Sequence, residues 1–408
     1  MPKAGSTPSP SHLLAGLVSV LIVTAVVTAV PLVLARMGNQ ALSSLLVGPA
    51  TQKDMGTLLQ GLGVTDPSLL PLYGSSELTW KIPNRADRFF AGSPTGFQIC
   101  PIGGPGNTTM MMAQKIAAQG ALMHDRKIVV LLSCSWFRRP ALPGPDYAGN
   151  FSPAQAINIL LDTDLDRNVR RRIARVMLDY PDTLKEYPAL AICTHALVAN
   201  DPISHWSGVI QRPLLRLQQA AMEMEDHLGT LLSLLNRNQP DKSAPEAAIP
   251  VATSLPFSWD KVIGRAQEFA AEEDPASLVQ SRPPGAQDAS FIAAFDGSRE
   301  WADFEVLLDT CKSLKVRPLV VAIPLDGPYE TAHGVSRSGR DYYYNRLGDA
   351  CASRGISFTH LDDHDLDTGF VIHHSSHLSG KGWIFLNRVL DDFYHDQLPA
   401  AAAGVTHS

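Results

Sequence analysis

The chain has 408 residues, of which 18% are charged, and its formal net charge at pH 7 is −6. This length allows one large domain with insertions or two domains. A weakly acidic chain with few charged residues lacks the basic surface that a nucleic-acid-binding protein needs. We therefore expect a globular body that has no nucleic-acid partner.

The first distinct segment is apolar and covers residues 13–36, with no charge before Arg36. It is long enough to cross a bilayer, which predicts a transmembrane anchor behind a short tail, residues 1–12. A secretory signal peptide is the alternative, although its apolar region would be shorter and a cleavage site would follow it. Basic residues lie on both sides, Lys3 before and Lys53 after, so charge does not fix the orientation.

A parallel sheet is indicated by the segments that follow the anchor. Residues 40–62 have the spacing of an amphipathic helix, and short apolar runs predict strands at 69–73, 97–102 and 128–132. The second strand ends in a glycine-rich turn, and an Ala/Met-rich segment, residues 108–124, favours a helix before the third. Strand, turn, helix and strand in this order are typical of a βαβ unit.

A helical region then interrupts the sheet. Ser152 and Pro153 are typical of a helix start, where serine caps the first turn and proline fits its backbone angle. Helical periodicity covers residues 153–180, 184–198 and 213–236. Residues 239–256 are rich in Pro, Ala and Ser and favour a loop. We predict a helical insertion at about residues 150–300.

The sheet pattern resumes near the carboxyl terminus, with predicted helices at 300–314, 340–354 and 379–395 and strands at 318–323 and 356–359. The whole pattern predicts an α/β fold with a doubly wound, mostly parallel sheet. In such a sheet ligands bind at the carboxyl ends of the strands, so the loops there are the candidate site.

The five cysteines are widely spaced and form no metal-binding pattern: Cys100, Cys134, Cys193, Cys311 and Cys351. We predict buried thiols, with one disulfide as the alternative if the chain is exported.

A serine turn follows the first predicted strand, in residues 73–78. A serine at such a turn has an exposed hydroxyl and nearby backbone amides, as a nucleophile for acyl transfer requires. His377, in the loop before the last helix, is the candidate base. The amides of Ser76, Gly103 and Gly104 are candidate donors to the oxyanion.

Six ordered segments resemble the DltD family, membrane-anchored relatives of the SGNH hydrolases that act in D-alanylation of teichoic acids. The segments are residues 74–78, 127–137, 150–155, 301–305, 318–324 with 327–329, and 377–383. The resemblance implies an SGNH-hydrolase-like fold for residues 37–408. It makes Ser76, the third residue of the Gly-Ser-Ser turn, the nucleophile, with Ser75 as the alternative. It also implies that the oxyanion is held by Gly104 and by the loop of Ser133 and Ser135.

The catalytic acid departs from the family pattern. The family places an aspartate three residues before the catalytic histidine, and that position is His374 here. An imidazole lacks the two anionic oxygens with which a carboxylate orients a histidine. Either a nearby carboxylate substitutes, Asp365 or Asp367, or Ser76 and His377 act as a dyad.

Two further clusters of ionisable residues each have a structural and a functional interpretation. The histidines and aspartates of residues 360–377 suggest a metal-dependent esterase as an alternative, but their strand-and-loop context favours no bound metal. The arginines of residues 167–175 predict a solvated helix face, with contact to an anionic polymer or lipid headgroup as the alternative.

The resemblance implies a single-pass membrane protein whose catalytic domain lies outside the cytoplasm. Its activity would be that of a cofactor-independent serine acyltransferase or esterase. Implied partners are a multipass membrane O-acyltransferase of the DltB type, an acyl carrier protein acting through it, and a cell-surface polymer as acceptor. The Ala/Arg/Pro-rich composition also suggests an exopolysaccharide such as cellulose as acceptor. A non-catalytic scaffold for the membrane acyltransferase is the remaining alternative.

Overall fold

The structure is a computed structural model of the chain, and it describes residues 10–48, 50–236, 257–272, 278–372 and 377–398. Within these ranges the α-helices are α1 (Pro10–Val47), α2 (Thr51–Met55), α3 (Leu58–Thr65), α4 (Ala86–Phe89), α5 (Thr109–Ala117), α6 (Cys134–Phe137), α7 (Gly144–Asn150), α8 (Pro153–Leu161), α9 (Arg167–Asp179), α10 (Pro188–Val198), α11 (Pro202–Asn236), α12 (Trp259–Gly264), α13 (Asp288–Asp296), α14 (Glu300–Ser313), α15 (Gly327–Ala332), α16 (Arg337–Ala352) and α17 (Gly380–Tyr394).

Five parallel strands form the central sheet in the spatial order β2-β1-β3-β4-β5. They are β1 (Leu69–Tyr73), β2 (Gln98–Ile102), β3 (Lys127–Leu132), β4 (Arg317–Ala322) and β5 (Ser357–His360). The chain moves outward from β1 to β2 and then returns to the other side of β1, so the strand order reverses between β1 and β3. Ligands bind at such a switch point, outside the carboxyl ends of the strands.

The strands are buried on both faces, which explains their nearly continuous apolar runs. In β3, Ile128 and Val130 belong to a core shared with α5, α14 and α16. Val129 and Leu131 point to the opposite face and belong to a second core, shared with α4, α12 and α17. The alternation follows from the two-residue period of a strand. Helices therefore cover both faces of the sheet, and the predicted doubly wound α/β fold is confirmed.

All five predicted strands lie within one residue of the observed ones at each end. The helical segment predicted at 153–180 is divided into α8 and α9, because Asp166 caps α9 by accepting hydrogen bonds from the amides of Asn168 and Val169. The helix predicted at 213–236 begins earlier, at Pro202, and continues through Pro213. The short antiparallel pair β6 (Val371–Ile372) and β7 (His377–Leu378) was not predicted.

Between residues 150 and 300 the described part of the chain contains helices and turns but no strand. The loop predicted at 239–256 lies outside the described residues. All five cysteines are described, and each is buried with a free thiol, as the simpler prediction stated.

The predicted transmembrane helix at residues 13–36 is not confirmed. This segment lies within α1, and among the described residues no helix combines the length and the apolar character needed to cross a bilayer.

A half-buried carboxylate joins the helical region to the start of the sheet. Asp226 of α11 accepts hydrogen bonds through Oδ2 from the amides of Thr57 and Leu58, at 2.8 and 2.9 Å. These amides belong to the first turn of α3, where no helical carbonyl is available to them. Asp226 therefore caps α3 from a distant element and fixes its position before β1.

We expect Asp226→Ala to lower the free energy of unfolding by about 1–2 kcal/mol, because two helix-terminal amides lose their acceptor. Urea denaturation measures this change. Glu225→Ala is the matched control, since the neighbouring Glu225 is exposed on the same helix. Equal losses in the two variants would contradict the capping role.

Candidate active site

The serine turn begins where β1 ends and passes into a short 3₁₀ helix, Ser76–Leu78. Gly74 is required here because a Cβ at this position would lie 2.5 Å from Oε1 of Glu77. The carbonyl of Gly74 accepts a hydrogen bond of 2.6 Å from the side-chain amide of Asn107, which is buried in the loop after β2. The conformation of the turn thus depends on the close packing at Gly74 and on a hydrogen bond from the loop after the neighbouring strand.

Glu77 stabilises the serine turn through a hydrogen bond to its backbone. Its Oε1 accepts a hydrogen bond of 2.6 Å from the amide of Ser75, and its side chain is buried. Burial raises the pKa of Glu77 to about 7, and the hydrogen bonds from backbone amides only partly oppose this rise. The carboxyl group therefore changes its protonation state near neutral pH, directly beside the serine pair.

The hydroxyl oxygen of Ser76 lies 2.7 Å from Nε2 of His377, although 301 positions separate the two residues. His377 opens β7 and pairs with Ile372 across the short antiparallel pair. Two residues later Ser379 caps α17 by accepting a hydrogen bond from the amide of Gly382. The sheet edge supplies the serine, and the loop before the capped helix supplies the imidazole.

Trp80 lies against the imidazole of His377, with ring centroids 4.5 Å apart and planes inclined by 16°. This stacking limits rotation of the imidazole and covers one of its faces. Burial lowers the pKa of His377, which favours the neutral form at neutral pH. A neutral imidazole with its proton on Nδ1 has a free electron pair on Nε2 and can accept the proton of Ser76.

The two serines of the turn have different partners. Ser75 is buried, and its hydroxyl donates a hydrogen bond of 3.3 Å to the carbonyl of Gly104. Ser76 is half-buried and faces His377. The geometry therefore favours Ser76 over Ser75 as nucleophile, and it brings Gly104 against the serine turn.

The two candidate glycines of the β2 loop also differ. The amide of Gly103 donates a hydrogen bond of 2.7 Å to Asp54, and this glycine has a φ of +125° and packs so closely that a Cβ would lie 2.0 Å from the carbonyl oxygen of Gly74. Gly103 thus holds two loops together, and its amide is occupied. Among the described residues the amides of Ser76 and Gly104 donate no hydrogen bond, so of the three candidate amides only these two are unoccupied.

The loop after β3 lies next to the serine turn, because β3 pairs with β1. Its two predicted oxyanion residues, Ser133 and Ser135, have hydroxyl groups 2.7 Å apart. Ser133 also accepts a hydrogen bond from the amide of Ser135 and thereby caps α6. The structure gives both serines a role in shaping this loop.

The predicted acids are not equally placed. His374, at the usual acid position, lies outside the described residues. Asp365 is buried and bound to Arg340 at 3.0 Å, and Asp367 accepts from His364 at 2.9 Å. Both carboxylates therefore have partners of their own.

Two of the described histidines in the histidine-rich segment pair with neighbouring carboxylates. His360 pairs with Asp362, and His364 pairs with Asp367. In the part of the chain that the structure describes, no group of three or more histidine, cysteine or acidic side chains is arranged to hold a metal ion.

Three residues of the site were missed in the sequence: Glu77, Trp80 and Asn107. Trp80 follows Ser76 by one helical turn, and its amide donates to the carbonyl of Ser76, so a shared face could have been inferred. Glu77 gave a weaker signal as a carboxylate directly after the serines. Asn107 gave none, since only the pairing of β1 with β2 brings it to the turn.

We expect Glu77→Gln to reduce the loss of stability between pH 5 and pH 8. The pKa of Glu77 in the folded state, about 7, lies above its unfolded value of about 4.3. The folded chain therefore binds more protons between these values, and stability falls as pH rises through them. The amide oxygen of glutamine keeps the acceptor for Ser75 and does not ionise. The expected difference is about 1–3 kcal/mol.

Urea denaturation at both pH values measures this difference. Glu223→Gln, which changes an exposed glutamate of α11, serves as control. An unchanged pH dependence in Glu77→Gln would show that the turn carboxyl is ionised in the folded state throughout this range.

The comparisons with known proteins agree on one family. A family model described as DltD protein matches residues 49–276 and 283–395. Protein DltD of Bacillus subtilis (strain 168) is 22% identical over 340 residues, which cover 83% of this chain and 86% of the relative. Protein DltD of Staphylococcus aureus (strain NCTC 8325 / PS 47) is 22% identical over 343 residues, covering 81% and 82%. Protein DltD of Lacticaseibacillus rhamnosus is 22% identical over 293 residues, covering 67% and 66%. The chain therefore belongs to the DltD family.

Proposed function

We propose that this chain is a serine acyltransferase or esterase that forms an acyl-enzyme at Ser76. The observation that carries the proposal is the 2.7 Å distance between the hydroxyl oxygen of Ser76 and Nε2 of His377. This distance allows direct proton transfer between nucleophile and base. The serine turn lies at the carboxyl edge of the sheet, where open α/β sheets generally bind ligands.

In the first step, Oγ of Ser76 attacks the acyl carbonyl of the donor while Nε2 of His377 takes the hydroxyl proton. The oxyanion accepts hydrogen bonds from the amides of Ser76 and Gly104, the two available donors in the turn region. The tetrahedral intermediate collapses, the leaving group takes the proton from His377, and the acyl group remains on Ser76.

In the second step, a hydroxyl of the acceptor attacks the ester carbonyl. His377 takes the acceptor's proton and returns it to Oγ of Ser76 as the ester bond breaks. Water in place of the acceptor would give hydrolysis, so exclusion of water decides between transferase and esterase activity. Trp80, which is partly exposed and stacks on the imidazole, would supply an apolar wall for that purpose.

We further propose, from family membership, that the acyl group is D-alanyl and that the acceptor is a teichoic acid. The chain would act at a membrane, on the side away from the cytoplasm. Its partners would be a multipass O-acyltransferase of the DltB type and, through it, an acyl carrier protein. Nothing in the proposed steps requires a cofactor, because the serine and histidine supply both the nucleophile and the proton transfer.

We expect Ser76→Ala to abolish covalent labelling of the purified protein by a fluorophosphonate probe, since the probe reacts with an activated serine. Ser75→Ala is the matched control, because its hydroxyl is bound to Gly104 rather than to His377. It should retain labelling. His377→Ala should reduce the labelling rate by a factor of about 10²–10⁴, the usual contribution of a general base.

Each other outcome has a definite meaning. Labelling lost only in Ser75→Ala would identify Ser75 as the nucleophile. An absence of labelling in the unmodified protein would favour a scaffold that binds polymer and membrane partner without catalysis.

We also expect the labelling rate to fall at acidic pH with a midpoint below about 6.5, the ordinary value for histidine. Burial lowers the pKa of His377, so the reactive neutral form persists as pH falls until that lowered value is reached. Labelling rates measured from pH 5 to pH 8 test this. The rates are measured in the Glu77→Gln variant, which lacks the neighbouring carboxyl that titrates near pH 7.

The variant Trp80→Ala provides a comparison for the midpoint of this pH dependence. Loss of the stacked ring exposes the imidazole to water, so the midpoint should move up toward the ordinary histidine value. A midpoint above 7 in the Glu77→Gln background would contradict His377 as the base.

A further inference from the structure

The hydrogen-bond ladder between β1 and β2 ends beside the serine turn. Its last bond runs from the amide of Gly74 to the carbonyl of Ile102, at 3.1 Å. In a continued parallel ladder the next bond would run from the amide of Gly104 to the carbonyl of Gly74. That carbonyl instead accepts from the side chain of Asn107, at 2.6 Å. In the described part of the chain the amide of Gly104 donates no hydrogen bond.

The residue before this amide is held from the other side. β2 lies at the edge of the described sheet, so every second amide of the strand points away from β1. On that outer side the amide of Gly103 donates a hydrogen bond of 2.7 Å to Oδ1 of Asp54. Gly103 has a φ of +125°, which glycine adopts readily and which turns the chain out of the ladder. Asp54 thus fixes the backbone one residue before the unoccupied amide of Gly104.

Asp54 is itself anchored through its backbone. It belongs to α2, and its carbonyl accepts hydrogen bonds from the side chains of Lys115 and Gln155, the latter at 3.0 Å. The carbonyl of the preceding residue, Lys53, accepts a hydrogen bond of 2.7 Å from the side chain of Gln60. None of these bonds uses the carboxylate of Asp54. Support of this kind keeps a side chain in place, and the group that it binds is then held in one position.

We propose that Asp54 is a positioning residue for the acyl transfer proposed above, on which this inference rests. By holding the amide of Gly103 on the outer side of β2, its carboxylate keeps the amide of Gly104 out of the ladder and available to the oxyanion. Asn107 completes the arrangement, because it occupies the carbonyl that would otherwise accept this amide. Asp54 acts through the two glycines and not on the reacting atoms.

A positioning residue and a merely structural cap have different effects on kinetics. Loss of a cap lowers the stability of the fold and leaves the reactivity of the folded molecules unchanged. Loss of a positioning residue slows the chemical step in molecules that are fully folded. Misplacement of a catalytic group by about 1 Å can reduce a rate by about 10²-fold, and loss of a whole oxyanion donor reduces it by about 10²–10³-fold.

The test is fluorophosphonate labelling of the full chain over a series of probe concentrations, which separates the maximal labelling rate from the half-saturating concentration. In this reaction Oγ of Ser76 displaces fluoride from phosphorus while His377 takes the hydroxyl proton. The phosphoryl oxygen gains negative charge and needs the same donors as an oxyanion. We expect Asp54→Ala to lower the maximal rate by roughly 10- to 100-fold, with little change in the half-saturating concentration.

Asp54→Asn is the conservative variant, because its amide oxygen can still accept from Gly103, and it should retain most of the maximal rate. Asp166→Ala is the matched control, since Asp166 also accepts hydrogen bonds from backbone amides but caps α9. It should be labelled at the unmodified rate. Urea denaturation of each variant identifies conditions in which all are folded. If Asp54→Ala does not fold, Asp54→Ser takes its place, because its hydroxyl is one bond shorter than the carboxylate.

Three results would overturn the role of Asp54 and leave the acyl-enzyme at Ser76 intact. They are an unchanged maximal rate in Asp54→Ala, an equal loss in Asp166→Ala, and an equal loss in Asp54→Asn. The last would assign the effect to the charge of Asp54 and not to its hydrogen bond with Gly103. An absence of labelling in the unmodified protein is a different failure, because it would remove the acyl-enzyme and the role of Asp54 together.

Discussion

The hydrogen-bonded pair of Ser76 and His377 depends on one constraint, the parallel pairing of β1 with β2 and β3. Parallel strands end at the same edge of a sheet, so the loops that follow them are brought together however far apart they lie in sequence. The serine turn follows β1, and the final helix packs on the sheet face beneath it through Trp383 and Leu386. The imidazole reaches the serine because the loop before that helix returns to the same edge.

Three polar side chains, of which Glu77 and Asn107 are buried, then fix the loops at this edge. Glu77 holds the amide of Ser75, Asn107 holds the carbonyl of Gly74, and Asp54 holds the amide of Gly103. Each side chain supplies the hydrogen bond that the backbone group would otherwise make to water. Such groups are costly to bury unless they are paired, so each also specifies one arrangement of the turn.

Asp54 connects this edge with the helices that surround the sheet. Its carboxylate binds the β2 loop, while its backbone carbonyl accepts hydrogen bonds from Lys115 of α5 and Gln155 of α8. Burial lowers the pKa of Lys115 to about 8, partly offset by the nearby Asp54. The helical region is thereby joined to the site through a few polar contacts.

The sequence by itself determined the strands, the α/β class, the cap at Ser152, and His377 and the serine pair of Ser75 and Ser76 as the candidates that meet. These follow from local apolar patterns, from capping chemistry and from ordered segments shared with one family. The tertiary structure alone decided which serine faces the imidazole, which glycine amide is occupied, and which carboxylates are already paired. It also decided that Asn107 supports the turn. These facts depend on side chains from distant segments meeting in space, and the order of residues along a chain does not specify such distances.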